Sequence, residues 1–210
     1  MNEFTLSCSN ISKSYIEHIF ILKDINLSVS NGEVLLIRGR NGSGKTTLLK
    51  MLCRSMKPSS GKIEFILNNT LVTDENFFNY FGYVSPYLNL YEEFTPEEHA
   101  FVLQKIRCQP FDNKYFTELM ERLGIYLHMN KPIRAFSSGM KQRFKFVLAL
   151  LHHPVILFLD EPSTNLDSEG INNINLIIAE FKSENKAAIL ASNDEYQVYL
   201  ADKILDIDNL

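Results

Sequence analysis

The chain reads Gly39-Arg40-Asn41-Gly42-Ser43-Gly44-Lys45-Thr46 between an apolar run at 34–37 and a helix-prone segment at 47–52. This octapeptide fits the pattern G-x-x-x-x-G-K-[ST], whose glycines let the backbone close so tightly that successive N–H groups point at phosphate oxygens. A strand before the loop and a helix after it are the context that confirms the pattern. The stretch therefore predicts a nucleoside triphosphate site.

The last residues of this loop are expected to have separate roles. Lys45 supplies a point charge for the phosphates, and the hydroxyl of Thr46 is placed to ligate Mg²⁺. Thr47 follows as the first buried or capping residue of the helix. The positive N-terminal end of that helix adds to the attraction for phosphate. The loop and its helix thus predict a nucleotide bound together with Mg²⁺.

Composition narrows the class of protein. The chain has 210 residues, a length that suits one compact domain, and a formal net charge of -4 without a long basic cluster, which argues against nucleic acid as a partner. Its three cysteines are widely separated and are expected to be reduced thiols of a cytosolic protein. No segment approaches about 18 uninterrupted apolar residues, so we expect a chain that is neither secreted nor membrane-spanning.

Strand-like and helix-like segments alternate along the chain. Alternating or wholly apolar runs predict strands at 4–9, 25–29, 34–37, 62–67, 81–84, 155–159, 187–191 and 203–207. A capping box at 95–98 begins a region of helical spacing that continues to about Leu127, and further helices are predicted at 138–151 and 168–184. His152 and His153 follow one of these helices and are expected to complement its dipole.

This alternation predicts an α/β fold, because the run at 155–159 is typical of a strand buried on both faces of a parallel sheet. We expect one domain over residues 1–210 with the P-loop NTPase fold. It would contain a mainly parallel sheet flanked by helices, an N-terminal antiparallel β part, and a helical subdomain at about 88–150 inserted in the nucleotide-binding core.

Three further motifs accompany the phosphate loop. Asp160 and Glu161 end the apolar strand, at the edge of an α/β sheet where phosphate sites lie, and such a pair suits Mg²⁺ handling and water activation. A serine-glycine segment at 136–143 precedes the acidic pair, and an aspartate loop at 163–167 follows it. In order and spacing these motifs closely resemble the ATP-binding cassette ATPases, the motor subunits of membrane transporters. The resemblance covers essentially the whole chain.

The resemblance implies a role for each matching residue. Loop amides and Lys45 would hold the phosphates of ATP, Thr46 would ligate Mg²⁺, and Asp160 would hold the metal through water. Glu161 would be the general base for the water that attacks the γ-phosphate. The family pattern assigns two further sets of ATP contacts, those of Ser137 and Gly139 acting in trans on the nucleotide of a second cassette, and that of Tyr15 stacking under adenine. Taken alone, Ser137 could be an ordinary helix cap and Tyr15 could merely pack a strand end.

Two positions depart from the family pattern. The strand at 81–84 would lead to a glutamine that touches Mg²⁺, and Pro86 occupies that place, so that either water or Ser85 replaces the contact. The strand at 187–191 would lead to a histidine on the γ-phosphate, and Asn193 stands there instead. The side-chain amide of Asn193 can donate a hydrogen bond but does not take up or release a proton near neutral pH. Asn193 is assigned to the catalytic site, and the sequence leaves open how far the substitution slows hydrolysis.

The implied function is that of an ATP-hydrolysing subunit of a membrane transporter, most similar to small export-type cassettes. It would form a homodimer or pseudo-dimer with a second cassette and bind an integral membrane subunit at the cytoplasmic face of the cell membrane. Tyr87, Tyr91 and Phe94 follow the place where the family receives that partner, although core packing explains them equally well. The alternatives are an ATP-gated, poorly hydrolytic interaction module and a soluble cassette without a transport role.

Overall fold

The computed structural model describes residues 3–16 and 19–209. The strands within these ranges are β1 (Phe4–Ile16), β2 (Ile19–Ser30), β3 (Val34–Arg38), β4 (Ser60–Leu67), β5 (Thr70–Leu71), β6 (Phe81–Val84), β7 (Ile156–Asp160), β8 (Ala187–Ala191) and β9 (Lys203–Asp206). The α-helices are α1 (Lys45–Leu52), α2 (Asp74–Phe77), α3 (Pro96–Ile106), α4 (Asn113–Arg122), α5 (Ser138–Leu150), α6 (Ser168–Ser183) and α7 (Glu195–Val198).

Two sheets organise these elements. The N-terminal sheet has the order β2-β1-β4-β5 with antiparallel pairing, and the larger sheet has the order β6-β7-β8-β3-β9 with parallel pairing throughout. Helices α3, α4 and α5 lie in sequence between β6 and β7. The predicted fold class is confirmed, including the antiparallel part and the mainly parallel sheet flanked by helices.

The core follows from the alternation of side chains along the parallel strands. In β3, Val34 and Leu36 face an apolar cluster built with α3–α6, whereas Leu35 and Ile37 face a second cluster shared with the antiparallel sheet and α1. Strands β7 and β8 are buried at every position. These strands therefore read as continuous apolar runs, because both faces of the sheet are covered.

Some local predictions were wrong in extent. Strands β1 and β2 are longer than the predicted strands at 4–9 and 25–29, and they pair with several register shifts after Cys8. The region of helical spacing after Thr95 contains two helices, α3 and α4, separated by a segment in which Cys108 has φ of 54°. The predicted strands were too short because register shifts interrupt the alternation of apolar and polar residues, so the sequence does not show how far the hairpin continues.

The prediction for His152 was also wrong. Its ring is buried at the end of α5, where Nε2 lies 2.9 Å from the carbonyl oxygen of Phe81. Burial, assisted by the nearby charge of Arg107, lowers the pKa of His152 to about 4. A neutral imidazole cannot complement a helix dipole by charge, so this residue links α5 to the start of β6 instead.

Parallel strand order places four loops at one edge of the larger sheet. The loops follow the carboxyl ends of β3, β6, β7 and β8, and they carry the phosphate loop, Ser85, Glu161 and Asn193. Ligands of open α/β sheets bind at this edge. The fold thus brings together segments that are far apart in the chain, and the contact of Asn193 with Gly39 spans 154 positions. Within the described ranges, no helix is long and apolar enough to cross a membrane.

Gly82 of β6 packs closely against the backbone of α5. A Cβ at this position would approach the carbonyl oxygen of Ala149 too closely and would lie 2.7 Å from Cδ2 of Leu157. We expect Gly82→Ala to lower the free energy of unfolding by about 1–3 kcal/mol, the usual cost of overpacking. Urea and thermal unfolding measure the change, and Ser9→Ala, at an exposed position of β1, is the control. Equal stability of Gly82→Ala and the parent would contradict this packing.

Candidate functional site

The phosphate loop runs directly into α1, as predicted. Gly44 precedes the helix with φ of 105°, and Lys45 is its first residue and is buried. The ammonium group of Lys45 donates to the carbonyl oxygens of Gly39 at 2.7 Å and Arg40 at 3.2 Å. Thr47 is neither the capping residue nor the first buried residue of α1, because Gly44 and Lys45 hold those positions. The predicted place of Thr47 in the helix is therefore wrong by about two residues.

A cleft of about 640 Å³ opens above this loop. The cleft is lined by the phosphate loop and by residues from β2 and from the loops after β6, β7 and β8. The lining residues are Ile21, Asn41, Gly42, Gly44, Lys45, Thr46, Thr47, Tyr87, Glu161, Thr164 and Asn193. The cleft thus brings together eight predicted site residues from the phosphate loop and from the loops after β7 and β8, whereas Gly39, Arg40 and Ser43 of the phosphate loop do not line it. Ile21 and Thr164 were not predicted, since an isolated apolar residue in a strand and a loop threonine carry no recognisable pattern.

Asp160 lies beneath the cleft with only 1% of its surface exposed. Its Oδ1 accepts a hydrogen bond of 2.8 Å from Thr46 Oγ1, and its Oδ2 accepts one of 3.1 Å from Ser85 Oγ. Three segments of the sheet edge therefore meet at a single carboxylate. Hydroxyl and carboxylate oxygens are the hard ligands that Mg²⁺ prefers, so the donor set fits this ion. Ser85, and not Pro86, supplies the polar group at the end of β6.

Glu161 lies beside this carboxylate and lines the cleft. Its backbone has φ of 42°, a left-handed conformation that is uncommon for glutamate, and its N–H donates to the carbonyl oxygen of Ala191 at 2.9 Å. Partial burial raises the pKa of the Glu161 carboxyl, while the charge of Lys45 works in the opposite direction. A raised pKa makes a carboxylate beside a cleft a better proton acceptor than an ordinary glutamate.

Asn193 extends from the loop after β8 onto the phosphate loop. Its Oδ1 accepts a hydrogen bond of 3.4 Å from the N–H of Gly39, and its Nδ2 donates to Asn41 Oδ1 at 3.4 Å. The side chain is exposed toward the cleft. The neighbouring Ser163, Asp194 and Gln197 form a hydrogen-bonded group that ties this loop to the aspartate loop.

The serine-glycine segment lies in a separate groove. Ser137 is the N-cap of α5, where its Oγ accepts from the N–H of Met140 at 3.2 Å, and it lines this groove with Gly139, Asn165 and residues around them. A Cβ on Gly139 would lie 2.8 Å from the carbonyl oxygen of Asn165. The aspartate loop therefore passes against α5 at a distance that only glycine permits. Neither Ser137 nor Gly139 lines the phosphate cleft of its own chain.

Tyr15 stands at the end of β1 with 59% of its surface exposed. Its hydroxyl group contacts the sulfur of Met56 at 3.5 Å, and the ammonium group of Lys13 lies 5.5 Å from its ring centroid. The ring is accessible to a stacking partner, although it does not line the phosphate cleft. Its predicted contact with adenine stays a prediction.

Comparison with known proteins adds independent information. A family model described as ABC transporter matches residues 22–164. The bacitracin transport ATP-binding protein BcrA of Bacillus licheniformis is 33% identical over 169 residues, which are 80% of this chain and 55% of that protein. The lipoprotein-releasing system ATP-binding protein LolD of Rickettsia bellii is 29% identical over 211 residues, covering 97% of this chain and 95% of that protein.

Solved structures agree with the fold. The ATP-binding subunit of an ABC transporter superposes with a TM-score of 0.83 at 25% identity, over 96% of this chain and 85% of that chain. The BcrA protein of Enterococcus faecalis is 30% identical over 91% of this chain, and this chain spans 55–61% of the length of the two BcrA proteins. The predicted resemblance is confirmed by these matches. Since the family model covers more than half of its residues, the chain belongs to the ABC transporter family.

Proposed function

We propose that this chain binds and hydrolyses ATP as the ATP-binding subunit of a membrane transporter. The observation that carries the proposal is the meeting of Thr46 and Ser85 on the buried carboxylate of Asp160, with Glu161 beside it in the same cleft. This arrangement combines an oxygen donor set for Mg²⁺ with a carboxylate base next to a phosphate loop. Family membership supports it, because the same motifs occur in the family in the same order.

The proposed mechanism depends on positioning. The amides of the phosphate loop and the ammonium group of Lys45 hold the phosphates, and Lys45 exchanges its contacts with Gly39 and Arg40 for phosphate oxygens. Glu161 orients the attacking water and accepts its proton. Thr46, Ser85 and Asp160 would hold Mg²⁺, and the bound ion would supply positive charge that neutralises the phosphates. Electrostatic stabilisation at these fixed groups supplies most of the rate.

A second cassette completes the proposed site. Ser137 and Gly139 lie at the start of α5 and outside the phosphate cleft of their own chain, as expected for groups that act on the nucleotide of a partner. Helix N-termini offer free N–H groups to anions, which suits the γ-phosphate. We therefore place ATP between two chains in head-to-tail arrangement, as a homodimer or as a pseudo-dimer with a related cassette.

The membrane partner is inferred from relatives. BcrA and LolD are described as ATP-binding proteins of bacitracin transport and of lipoprotein release, so a separate integral membrane subunit is the expected partner of this chain, at the cytoplasmic face of the membrane. Tyr87 and Tyr91 are 76% and 68% exposed, and Phe94 packs beside Tyr91 with ring centroids 5.5 Å apart. Aromatic side chains of this kind are enriched at interfaces.

A second candidate is an ATP-gated module that hydrolyses ATP poorly. The amide of Asn193 at the phosphate loop favours it, because this group carries no titratable proton. Steady-state release of phosphate separates the two functions: repeated turnover supports the ATPase, and binding of ATP without turnover supports the module.

Glu161→Gln tests the proposed base and dimer together. The amide keeps the shape of the side chain but does not accept the proton of water, so hydrolysis is expected to fall by about 100-fold or more while ATP stays bound in a closed dimer. Size-exclusion chromatography with ATP and Mg²⁺ measures the shift to dimer. Glu121→Gln, an exposed change on α4, is the matched control, and Lys45→Ala should abolish the shift by removing ATP affinity. Hydrolysis at the parent rate by Glu161→Gln would refute the assignment.

The raised pKa of Glu161 also predicts how stability depends on pH. The folded carboxyl holds its proton more tightly than the unfolded one, so its favourable contribution is complete below the ordinary glutamate pKa of 4.5 and is lost as pH rises through the folded pKa. Glutamine is neutral throughout, so Glu161→Gln should melt at a higher temperature than the parent at pH 7.5, and the difference should shrink toward pH 4. Melting temperatures of the parent and of Glu161→Gln are measured by calorimetry at the higher and the lower pH, with Glu121→Gln as the control. A difference between variant and parent that does not depend on pH would argue against burial of the Glu161 charge.

Asn193→His tests the position of Asn193. Histidine titrates near pH 6.5 and its charged form donates a stronger hydrogen bond to phosphate, so the variant should gain a limb in its pH–rate profile. Its maximal rate should rise about fivefold, the effect of about 1 kcal/mol of additional hydrogen bonding. The measurement is a pH series at saturating ATP and Mg²⁺, with Asn130→His as an exposed control outside the cleft. Profiles that overlap with those of the parent would place Asn193 away from the γ-phosphate.

A further inference from the structure

Lys145 is a buried lysine in the middle of α5. Only 6% of its surface is exposed, and its Nζ donates to two successive backbone carbonyl oxygens, those of Ser85 at 2.9 Å and Pro86 at 2.8 Å. Among residues 3–16 and 19–209, no carboxylate forms an ion pair with it. Burial of an ammonium group is costly unless it is hydrogen-bonded, so these two carbonyl groups determine where the side chain lies.

Ser85 is consequently held from both sides. Its carbonyl group accepts from Lys145, and its hydroxyl group donates to Oδ2 of Asp160 at 3.1 Å. Pro86 adds a third restraint, because its ring fixes its own φ and pushes the preceding residue toward extended backbone. The segment after β6 is therefore fixed at the point where it approaches the proposed Mg²⁺ ligands.

The same contact joins this segment to α5. Lys145 lies eight positions after Ser137, so about 12 Å of helix separates the two residues. Ser137 is the N-cap of α5 and lines the groove that also contains Gly139 and Asn165. One rigid element thus carries both the proposed trans contact with ATP and the hydrogen bonds to residues 85–86. Movement of α5 would be transmitted to Ser85 and from there to Asp160.

We propose that Lys145 is a positioning residue of the nucleotide site, which holds the carbonyl groups of Ser85 and Pro86 so that the Ser85 hydroxyl stays on Asp160. Lys145 acts through Ser85 and does not touch the nucleotide. The inference rests on the proposed function for its link to hydrolysis, but the hydrogen bonds predict an effect on Mg²⁺-dependent ATP binding even without turnover. Phosphate contacts made by Lys45 and the loop amides are independent of Lys145.

The experiment is a double-mutant cycle of Lys145→Met and Ser85→Ala. ATP affinity is measured by calorimetry in EDTA and over a Mg²⁺ series, and turnover is measured over the same series. Lys145→Met should leave ATP affinity in EDTA unchanged and raise the Mg²⁺ concentration for half-maximal binding and turnover about tenfold, as expected for loss of a group that orients a metal ligand. Because Lys145 acts through Ser85, the double variant should resemble Ser85→Ala alone.

Lys114→Met is the control. Lys114 lies on α4 with its side chain 88% exposed, and its Nζ lies 3.8 Å from Oε1 of Glu118, so this variant should keep the Mg²⁺ dependence of the parent. Additive effects in the cycle, or parental Mg²⁺ dependence in Lys145→Met, would overturn the inference. If Lys145→Met does not fold, Lys145→Ala, which also removes the ammonium donor and suits a helix interior, replaces it in the cycle. If the parent protein binds ATP with Mg²⁺ but does not hydrolyse it, the proposed hydrolysis is refuted. The role of Lys145 is then decided by the ATP affinities measured in the double-mutant cycle.

Discussion

The site depends on one buried carboxylate. Asp160 ends a strand that is buried at every position, and its oxygens accept hydrogen bonds from the first turn of α1 and from the segment after β6. A buried carboxylate without such partners would be costly, so the two hydroxyl groups are needed for the fold as much as for the proposed metal. The parallel order of β3, β6 and β7 brings the three segments within reach, because their carboxyl ends lie at the same edge.

Sequence patterns predicted the parts of this site that are local in the chain. The phosphate loop and the acidic pair were found because each follows an apolar strand by a fixed number of residues, and the cleft contains most of the residues that were named. Contacts between distant segments were not predictable. Lys145 reads as an ordinary polar position in a helix, and only the packing of α5 against β6 reveals that it lies on residues 60 positions away. His152 was misjudged for the same reason, since its burial comes from that packing.

Some features of the cleft lower the stability of the fold but suit the proposed reaction. Glu161 combines a left-handed backbone with partial burial of a charge, and both lower stability. Its N–H bond to Ala191 of the adjacent strand fixes the turn, so the carboxylate projects into the cleft and not along the sheet. Ser137, in contrast, stabilises α5 as its cap whether or not a second chain is present. In the proposed mechanism, stability and function are thus opposed at Glu161 and combined at Ser137.

The departure from the family pattern at Asn193 determines which groups near the cleft can take up a proton. At the end of β6 a serine hydroxyl reaches Asp160, and after β8 an asparagine amide reaches the phosphate loop. Both groups are neutral and neither changes its charge near physiological pH, whereas a histidine would. In the proposed mechanism the proton of the attacking water can therefore pass only to Glu161 among these groups. Burial raises the pKa of that carboxyl and so strengthens it as a proton acceptor, while the charge of Lys45 opposes the rise.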